Sequence, residues 1–169
     1  MNSDLSNFIR GSMEYKIRAI SENEYTRLDD FLYEAIFVPK GVPAPPREII
    51  CKPELQVYVS DFGKKEGDIG LVAEADDKIV GAVWVRIMND YGHIDDETPS
   101  FAVSLYKEYR NHGIGTALMK EMLGVLGQAV YKQASLAVQK ENYAVNMYEN
   151  VGFTVIDENE EEYIMIYKF

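Results

Sequence analysis

The spacing of apolar and polar positions predicts a chain of alternating strands and helices. Residues 15–20 ("YKIRAI") alternate between polar and apolar side chains, which is the period of a half-buried strand. Ser21 and Glu24 then match a capping box, and the apolar residues after them repeat at helical spacing. The same two periods predict strands at 15–20, 69–75, 78–88, 100–105, 134–138, 153–157 and 162–169, and helices after Ser21 and at 53–59, 115–130 and 142–150.

The order of these elements predicts a single α/β (α+β) domain over residues 13–169. Asp76 and Asp77 join two apolar strands as a hairpin, and the later strands alternate with helices. This order gives a mixed sheet with helices packed on its faces. Segment 38–48 holds four of the six prolines, so it forms neither a regular helix nor a central strand. A loop of this length inside a compact domain is often functional.

Residues 1–12 are predicted to lie outside this domain, as a polar lead-in. The letters "GSM" at 11–13 are compatible with a cloning scar ahead of a native start at Met13. A natural disordered start explains the same composition, and both explanations stay open.

The charge balance narrows the class of partner. The 169 residues carry a formal net charge of -11, which argues against nucleic acid, because phosphate binding needs a basic face. The acidity favours cationic small molecules or basic peptide tails, although an acidic surface also serves solubility alone.

Neither a membrane span nor a disulfide framework is expected. The longest apolar run, residues 79–88, is interrupted by Arg86 and is too short to cross a bilayer. Cys51 is the only cysteine, so no intrachain disulfide can form. We therefore expect a cytoplasmic protein.

The segment "RNHGIG", residues 110–115, lies between a predicted strand and a predicted helix. Glycine permits positive φ and close approach to the backbone, and the amides of a first helical turn have no helical acceptor. This combination suits a phosphate or pyrophosphate, with Arg110 and Thr116 as further donors. A turn whose glycines serve geometry alone is the other explanation. The spacing matches neither a Walker loop nor the dinucleotide fingerprint.

A second segment, "ENYAVNMYENVGF" at 141–153, predicts a helix with a defined start and end. Asn142 can cap the helix, and Gly152 can stop it in the left-handed conformation. Tyr148 lies inside the helix, where a tyrosine is commonly a packed core residue.

Together the two segments resemble the GNAT superfamily of acyl-CoA-dependent N-acetyltransferases. Arg110, Gly113 and Gly115 match its Q/R-x-x-G-x-G/A motif. The second segment is similar to the family's N-x-A-x-x-x-Y-x-x-x-GF, through Asn142, Ala144, Tyr148, Gly152 and Phe153. Lys107 stands where the family often has proline. The resemblance implies a mostly antiparallel mixed sheet of about seven strands, with a splay between the central strands and about four helices.

The resemblance also implies acetyl-CoA as co-substrate, no metal, and acetyl transfer to a primary amine by direct attack. Tyr148 would protonate the CoA thiolate, and an amide near Leu105 would polarise the thioester carbonyl. The residues that it assigns to the cofactor are Val103, Leu105, Arg110, Asn111, His112, Gly113, Ile114, Gly115, Thr116 and Asn142.

The base that deprotonates the amine is not fixed by the sequence. The candidates are Asp95, Asp96, Glu97, Glu34, His93 or a water path, and a solvated surface carboxylate is the alternative for each acidic residue. Cys51 as a nucleophile has no predicted activating partner. Two histidines and one cysteine show no metal-ligand spacing.

The acceptor is predicted only by class. Family members surround it with segments that correspond here to 31–46 and 157–162, and the second of these is strongly acidic. A cationic small molecule or peptide amine is compatible with both. The alternative function is a non-catalytic acyl-CoA-binding or sensing module, which would not need Tyr148. Dimerisation is common in the family, so a homodimer is also compatible.

Overall fold

The computed structural model describes residues 4–10 and 13–169. In this part of the chain one mixed sheet carries helices on both faces. The strands are β1 Asp4–Arg10, β2 Met13–Ala19, β3 Ile69–Ala75, β4 Lys78–Arg86, β5 Ser100–Leu105, β6 Gln133–Gln139, β7 Thr154–Glu158 and β8 Glu162–Lys168. The helices are α1 Leu28–Ala35, α2 Pro53–Gln56, α3 Ile114–Gly127 and α4 Ala144–Val151.

The sheet has the order β1-β2-β3-β4-β5-β6-β8-β7, and every neighbouring pair except β5 and β6 is antiparallel. Strands β5 and β6 are parallel and pair only at Ser100 and Ser135. In contrast, β4 pairs with β5 along its whole length, from Gly81–Leu105 to Arg86–Ser100. The two central strands therefore separate after one residue pair, which confirms the predicted splay and the fold class.

Each face of the sheet has its own apolar layer. Helix α3 buries Leu118, Met119 and Met122 against one face, together with Phe101 and Leu136. Helix α1 covers the opposite face. Because side chains alternate along a strand, β5 sends Phe101, Val103 and Leu105 to the α3 side and Ala102 to the α1 side.

The boundaries predicted from sequence hold to within a few residues for most elements. The hairpin turn at Asp76 and Asp77 is confirmed, since both residues have positive φ, of 53° and 60°. Two helices differ from the prediction. The first begins as a 3-10 turn over Glu22–Arg27, and α2 spans only Pro53–Gln56. No helix in the described ranges is both long and apolar enough to span a membrane.

The expected lead-in at 1–12 falls partly outside the described residues, since 1–3 and 11–12 are not described. The residues between them, Asp4–Arg10, form β1 and pair antiparallel with β2. This strand is an eighth, in addition to the seven that the hydrophobic pattern predicts. A wholly irregular lead-in is therefore wrong for Asp4–Arg10, where backbone pairing supplies an order that the polar side-chain pattern does not indicate.

Candidate active site

The free edge of β5 lies at the splay. The Tyr106 N–H donates to the Val80 carbonyl of β4 at 3.0 Å, so it points away from β6. Strand alternation then directs the N–H groups of Leu105 and Val103 towards β6. Because β6 pairs with β5 only at Ser100, these amides border an open wedge. Both residues predicted to hydrogen-bond a pantetheine arm thus lie on the edge that such an arm could reach.

The loop after β5 presents a second set of amides. Asn111 and Gly113 have φ of 65° and 83°, and Gly113 is the N-cap of α3. The first helical bond of α3 runs from the Ala117 N–H to the Gly113 carbonyl. The N–H groups at 114–116 therefore have no acceptor within the helix, and the positive end of its dipole adds to them. The structure brings the predicted residues 111–116 together as one potential anion site.

Gly115 is not required by the fold itself. Its φ is not in the left-handed region, and a Cβ there would meet the Met147 Sδ at 3.4 Å and the Leu105 Cδ1 at 3.6 Å, which is ordinary contact. Glycine in a helix costs about 1 kcal/mol relative to alanine. A ligand that approaches the backbone closely would account for a glycine here, and this donor set is of the kind that suits a pyrophosphate.

Arg110 has a structural role that the sequence does not reveal. Its Nε donates to the Leu105 carbonyl at 3.0 Å, and its Nη2 lies 3.0 Å from the Glu34 Oε2. The side chain therefore ties the loop to β5 and to α1. A contact between Arg110 and a phosphate stays a prediction. Glu34, one of the candidate bases, is held in the same ion pair.

Asn142 caps α4, as one of the two sequence interpretations has it. Its Oδ1 accepts the Ala144 N–H at 2.9 Å. The resulting start of α4 places Met147 against Gly115 in the first turn of α3. Asn142 therefore positions α4 beside the loop, and its direct contact with a cofactor stays a prediction.

Tyr148 follows Met147 and is buried beside Phe153, with ring centroids 6.2 Å apart. Its hydroxyl makes no hydrogen bond to any residue that the structure describes. Burial raises the pKa of Tyr148, and no charged neighbour opposes that effect. The phenol therefore stays protonated at neutral pH and can donate a proton.

The acidic candidates before β5 lie on the surface. Hydrogen bonds from Thr98 and from the Glu97 N–H hold the pKa of Asp95 below its usual value. The side chain of Asp96 is 97% exposed, and Glu97 is exposed as well. His93 is fixed by the 2.9 Å contact of its Nδ1 with the Met88 carbonyl. Cys51 is an exposed free thiol.

Sequence reasoning missed a polar network on the α1 face of the splay. The Ser100 Oγ donates to the Asp90 Oδ1 at 3.0 Å and lies 3.2 Å from the Ser135 Oγ, which in turn donates to the Gly92 carbonyl at 2.7 Å. Tyr58 lies beside Asp90. These residues come from distant parts of the chain and follow no motif, so only the fold brings them together.

Comparison with known proteins finds solved structures with the same fold and assigns the chain to a family. Residues 38–165 match a family model described as an acetyltransferase (GNAT) domain. By sequence search, no curated protein matches the chain significantly.

Three solved structures illustrate the likeness in fold. A GNAT-family acetyltransferase from Streptococcus pneumoniae is 20% identical with TM-score 0.66, covering 92% of this chain and 100% of its own. The PaiA N-acetyltransferase from Thermoplasma acidophilum, solved with coenzyme A, is 19% identical with TM-score 0.67, covering 92% and 99%. The yncA protein from Salmonella typhimurium, solved with its cofactor acetyl-CoA, is 13% identical with TM-score 0.64, covering 91% and 93%.

Proposed function

Because this chain belongs to the GNAT acetyltransferase family, we propose that it is an acetyl-CoA-dependent N-acetyltransferase acting on a primary amine. The observation that carries the proposal is one continuous set of donors. The amides of Val103 and Leu105 border the splay, and the amides at 114–116 lie directly beyond them at the start of α3. Similar structures that hold coenzyme A or acetyl-CoA support the choice of cofactor.

Bound acetyl-CoA would supply an activated acetyl group as a thioester. The loop amides and the α3 N-terminus bind its pyrophosphate, which is attracted by the partial positive charge of the helix end. The β5 edge orients the pantetheine arm and offers an N–H to the carbonyl oxygen of the acetyl group. Such a donor is typically worth about 3 kcal/mol of barrier.

Tyr148 supplies a proton in this proposal. When the amine nitrogen forms a bond to the acetyl carbon, the carbon–sulfur bond breaks and the sulfur leaves with the electron pair. The protonated, buried phenol then donates to that sulfur and recovers its proton from solvent after product release. The support is the position of α4, whose Met147 packs against the first turn of α3.

The acceptor that we propose is a cationic amine. The chain carries a net charge of -11. Near the splay, burial raises the pKa of Tyr58 and Tyr91, and the negative charges of Glu54, Asp90 and Glu162 add to that effect. Partial burial raises the pKa of Glu162, so its environment is less polar than water. An incoming ammonium group would be attracted by the negative charge of these carboxylates.

Two measurements test the proposal. Calorimetry measures the binding of acetyl-CoA, and the release of the CoA thiol then measures transfer to each member of a panel of primary amines. We expect binding, and faster thiol release with 1,4-diaminobutane than with β-alanine, which carries a carboxylate. Binding without thiol release on any amine would support the non-catalytic module instead. A preference for the anionic amine would contradict the proposed acceptor class. No binding to ligand-free protein would contradict the cofactor assignment.

A further inference from the structure

Asp90 occupies the end of the splay, on the face opposite α3. Its Oδ1 accepts a hydrogen bond from the Ser100 Oγ at 3.0 Å, and Ser100 is the residue at which β5 meets β6. Ser100 and Ala102 alternate with Phe101, whose side chain packs on the α3 side. Asp90 therefore approaches the wedge from the α1 face, while the anion site at α3 lies beyond the other end of β5.

The residues around Asp90 are held in place by buried side chains of β4. The Trp84 Nε1 donates to the Tyr58 carbonyl at 3.0 Å, and the Arg86 Nη1 donates to the Val57 and Ser60 carbonyls at 3.1 and 2.9 Å. Arg86 is itself buried and paired with Asp68. The backbone on either side of Tyr58 is thus fixed to the sheet, which keeps the phenol beside Asp90.

The electrostatic setting of Asp90 differs from that of the other carboxylates in its loop. Burial raises the pKa of Asp90, although donors from Ser100, Tyr58 and the Gly92 N–H oppose the effect. Tyr58 and Tyr91 are titratable neighbours of Asp90. The negative charges of Glu162 in β8 and Glu54 in α2 contribute to the raised pKa of these two phenols. The main influences on the pKa of Asp90 are burial and these hydrogen-bond donors, and none of them is a cation. Asp90 is half-buried rather than enclosed in the core.

From this geometry we propose that Asp90 is the catalytic residue that accepts the proton of the incoming amine, an inference that rests on the proposed acetyl transfer. An alkylammonium group has a pKa of about 10.4 and cannot attack while protonated. Its first proton passes to the Asp90 carboxylate, and the freed nitrogen lone pair forms the bond to the acetyl carbon. The carbon–sulfur bond breaks with its electron pair on the sulfur, which takes its proton from Tyr148, and the second proton of the nitrogen passes to solvent as the amide forms. Tyr58 and Ser100 are positioning residues that orient the carboxylate.

The test compares Asp90→Asn with Asp77→Asn, a control at an exposed carboxylate of the turn between β3 and β4. Asparagine preserves size and can still accept from Ser100, and titration with acetyl-CoA checks that each variant is folded. The two acceptors are ethylamine and 2,2,2-trifluoroethylamine, which are nearly equal in size, but only the second is largely uncharged at neutral pH.

We expect Asp90→Asn to bind acetyl-CoA normally and to lose about 10²–10⁴-fold in transfer to ethylamine, with a much smaller loss for trifluoroethylamine. Asp77→Asn should match the wild type with both amines. Equal losses for the two amines, or wild-type rates in Asp90→Asn, would overturn the inference while leaving the transferase intact. If the wild type transfers acetyl to neither amine, nor to any amine of the earlier panel, both proposals fall together.

The pH dependence of the transfer rate distinguishes a role of Asp90 in proton transfer from a role in stabilising the fold. The ethylamine rate of the wild type should rise with pH along a limb that levels off as Asp90 deprotonates, whereas the rate of Asp90→Asn should simply follow the fraction of unprotonated ethylamine. Tyr58→Phe removes a donor that favours the carboxylate, so the limb should move to higher pH in that variant. An unmoved limb in Tyr58→Phe would contradict the role given to Asp90.

Discussion

Tyr148 has a buried ring, and its hydroxyl makes no hydrogen bond within the described residues. The oxygen is not sealed from solvent, because no fully buried side-chain oxygen or nitrogen among the described residues lacks a partner. Phenylalanine would fill the same space and keep the ring contact with Phe153. The hydroxyl is therefore better explained by a reaction than by stability.

Tyr148→Phe tests this explanation at the scale of one atom. Because no hydrogen bond is lost, the free energy of unfolding in urea should not decrease. Transfer from acetyl-CoA should fall by about 10²-fold or more, with the dissociation constant of acetyl-CoA unchanged. A variant that turns over like the wild type would remove Tyr148 from the reaction.

The limits of sequence reasoning are also clear at this scale. The motifs located Arg110, Asn142 and Tyr148, but they could not show that Arg110 pairs with Glu34. That partner depends on how α1 packs, which is a tertiary property. Asp90 was missed because no local pattern distinguishes it from the exposed Asp95 five residues later.

At the scale of elements, α3 carries two kinds of glycine. Gly115 lies in the first turn, beside the free amides, whereas Gly124 is exposed and a Cβ there would meet nothing within 4 Å. Both are helical positions with ordinary φ, so the backbone tolerates a side chain at either one. A Cβ at Gly115 would touch Met147 and Leu105, so the free energy of unfolding is measured for each variant beside its binding.

Gly115→Glu and Gly124→Glu form a matched pair in charge and helix propensity. A carboxylate in the first turn is favourable to the helix itself, so Gly115→Glu should remain folded. It should nevertheless weaken acetyl-CoA binding by at least about tenfold, because it opposes the pyrophosphate charge. Calorimetry should show wild-type binding for Gly124→Glu. Equal binding by both variants would place the pyrophosphate elsewhere.

Element positions were largely predictable because each has a strong local signal. The β3–β4 hairpin combines two apolar strands with an Asp76–Asp77 turn, and the predicted and observed bounds of β5 agree. The strand β1 was not predictable, since its polar sequence lacks a period and it is ordered by pairing with β2. Pairing along an edge is a long-range property that a window of sequence does not contain.

At the scale of the whole molecule, one arginine connects three parts of the fold. Arg18 of β2 bonds Glu74 of β3 at 2.6 Å and Glu24, in the turn before α1, at 2.7 Å. The hydrogen bond from Arg18 lowers the pKa of Glu24 to about 2. The interaction therefore stabilises the folded state above the ordinary glutamate pKa and is lost as the pH falls towards 2.

Glu24→Gln should accordingly reduce the free energy of unfolding at neutral pH and leave less stability to be lost between about pH 4.5 and pH 2. Glu22→Gln, an exposed position in the same turn, is the control and should keep the acid dependence of the wild type. Urea unfolding at a series of pH values measures both. Parallel curves for wild type and Glu24→Gln would show that this link contributes nothing.

The contact between Ser100 and Ser135 has a further consequence for chain entropy. Strands β1–β5 and strands β6–β8 are each contiguous in sequence, and this one residue pair joins them in the sheet across 35 positions. Closing so long a loop costs more entropy than closing the hairpins on either side. The single residue pair nevertheless adds very few backbone hydrogen bonds between β5 and β6. The two groups of strands are therefore held together mainly by side chains, those of α3 and the contact between Phe101 and Phe153 among them. A substitution that weakens these contacts would loosen the junction between the groups as well as the core.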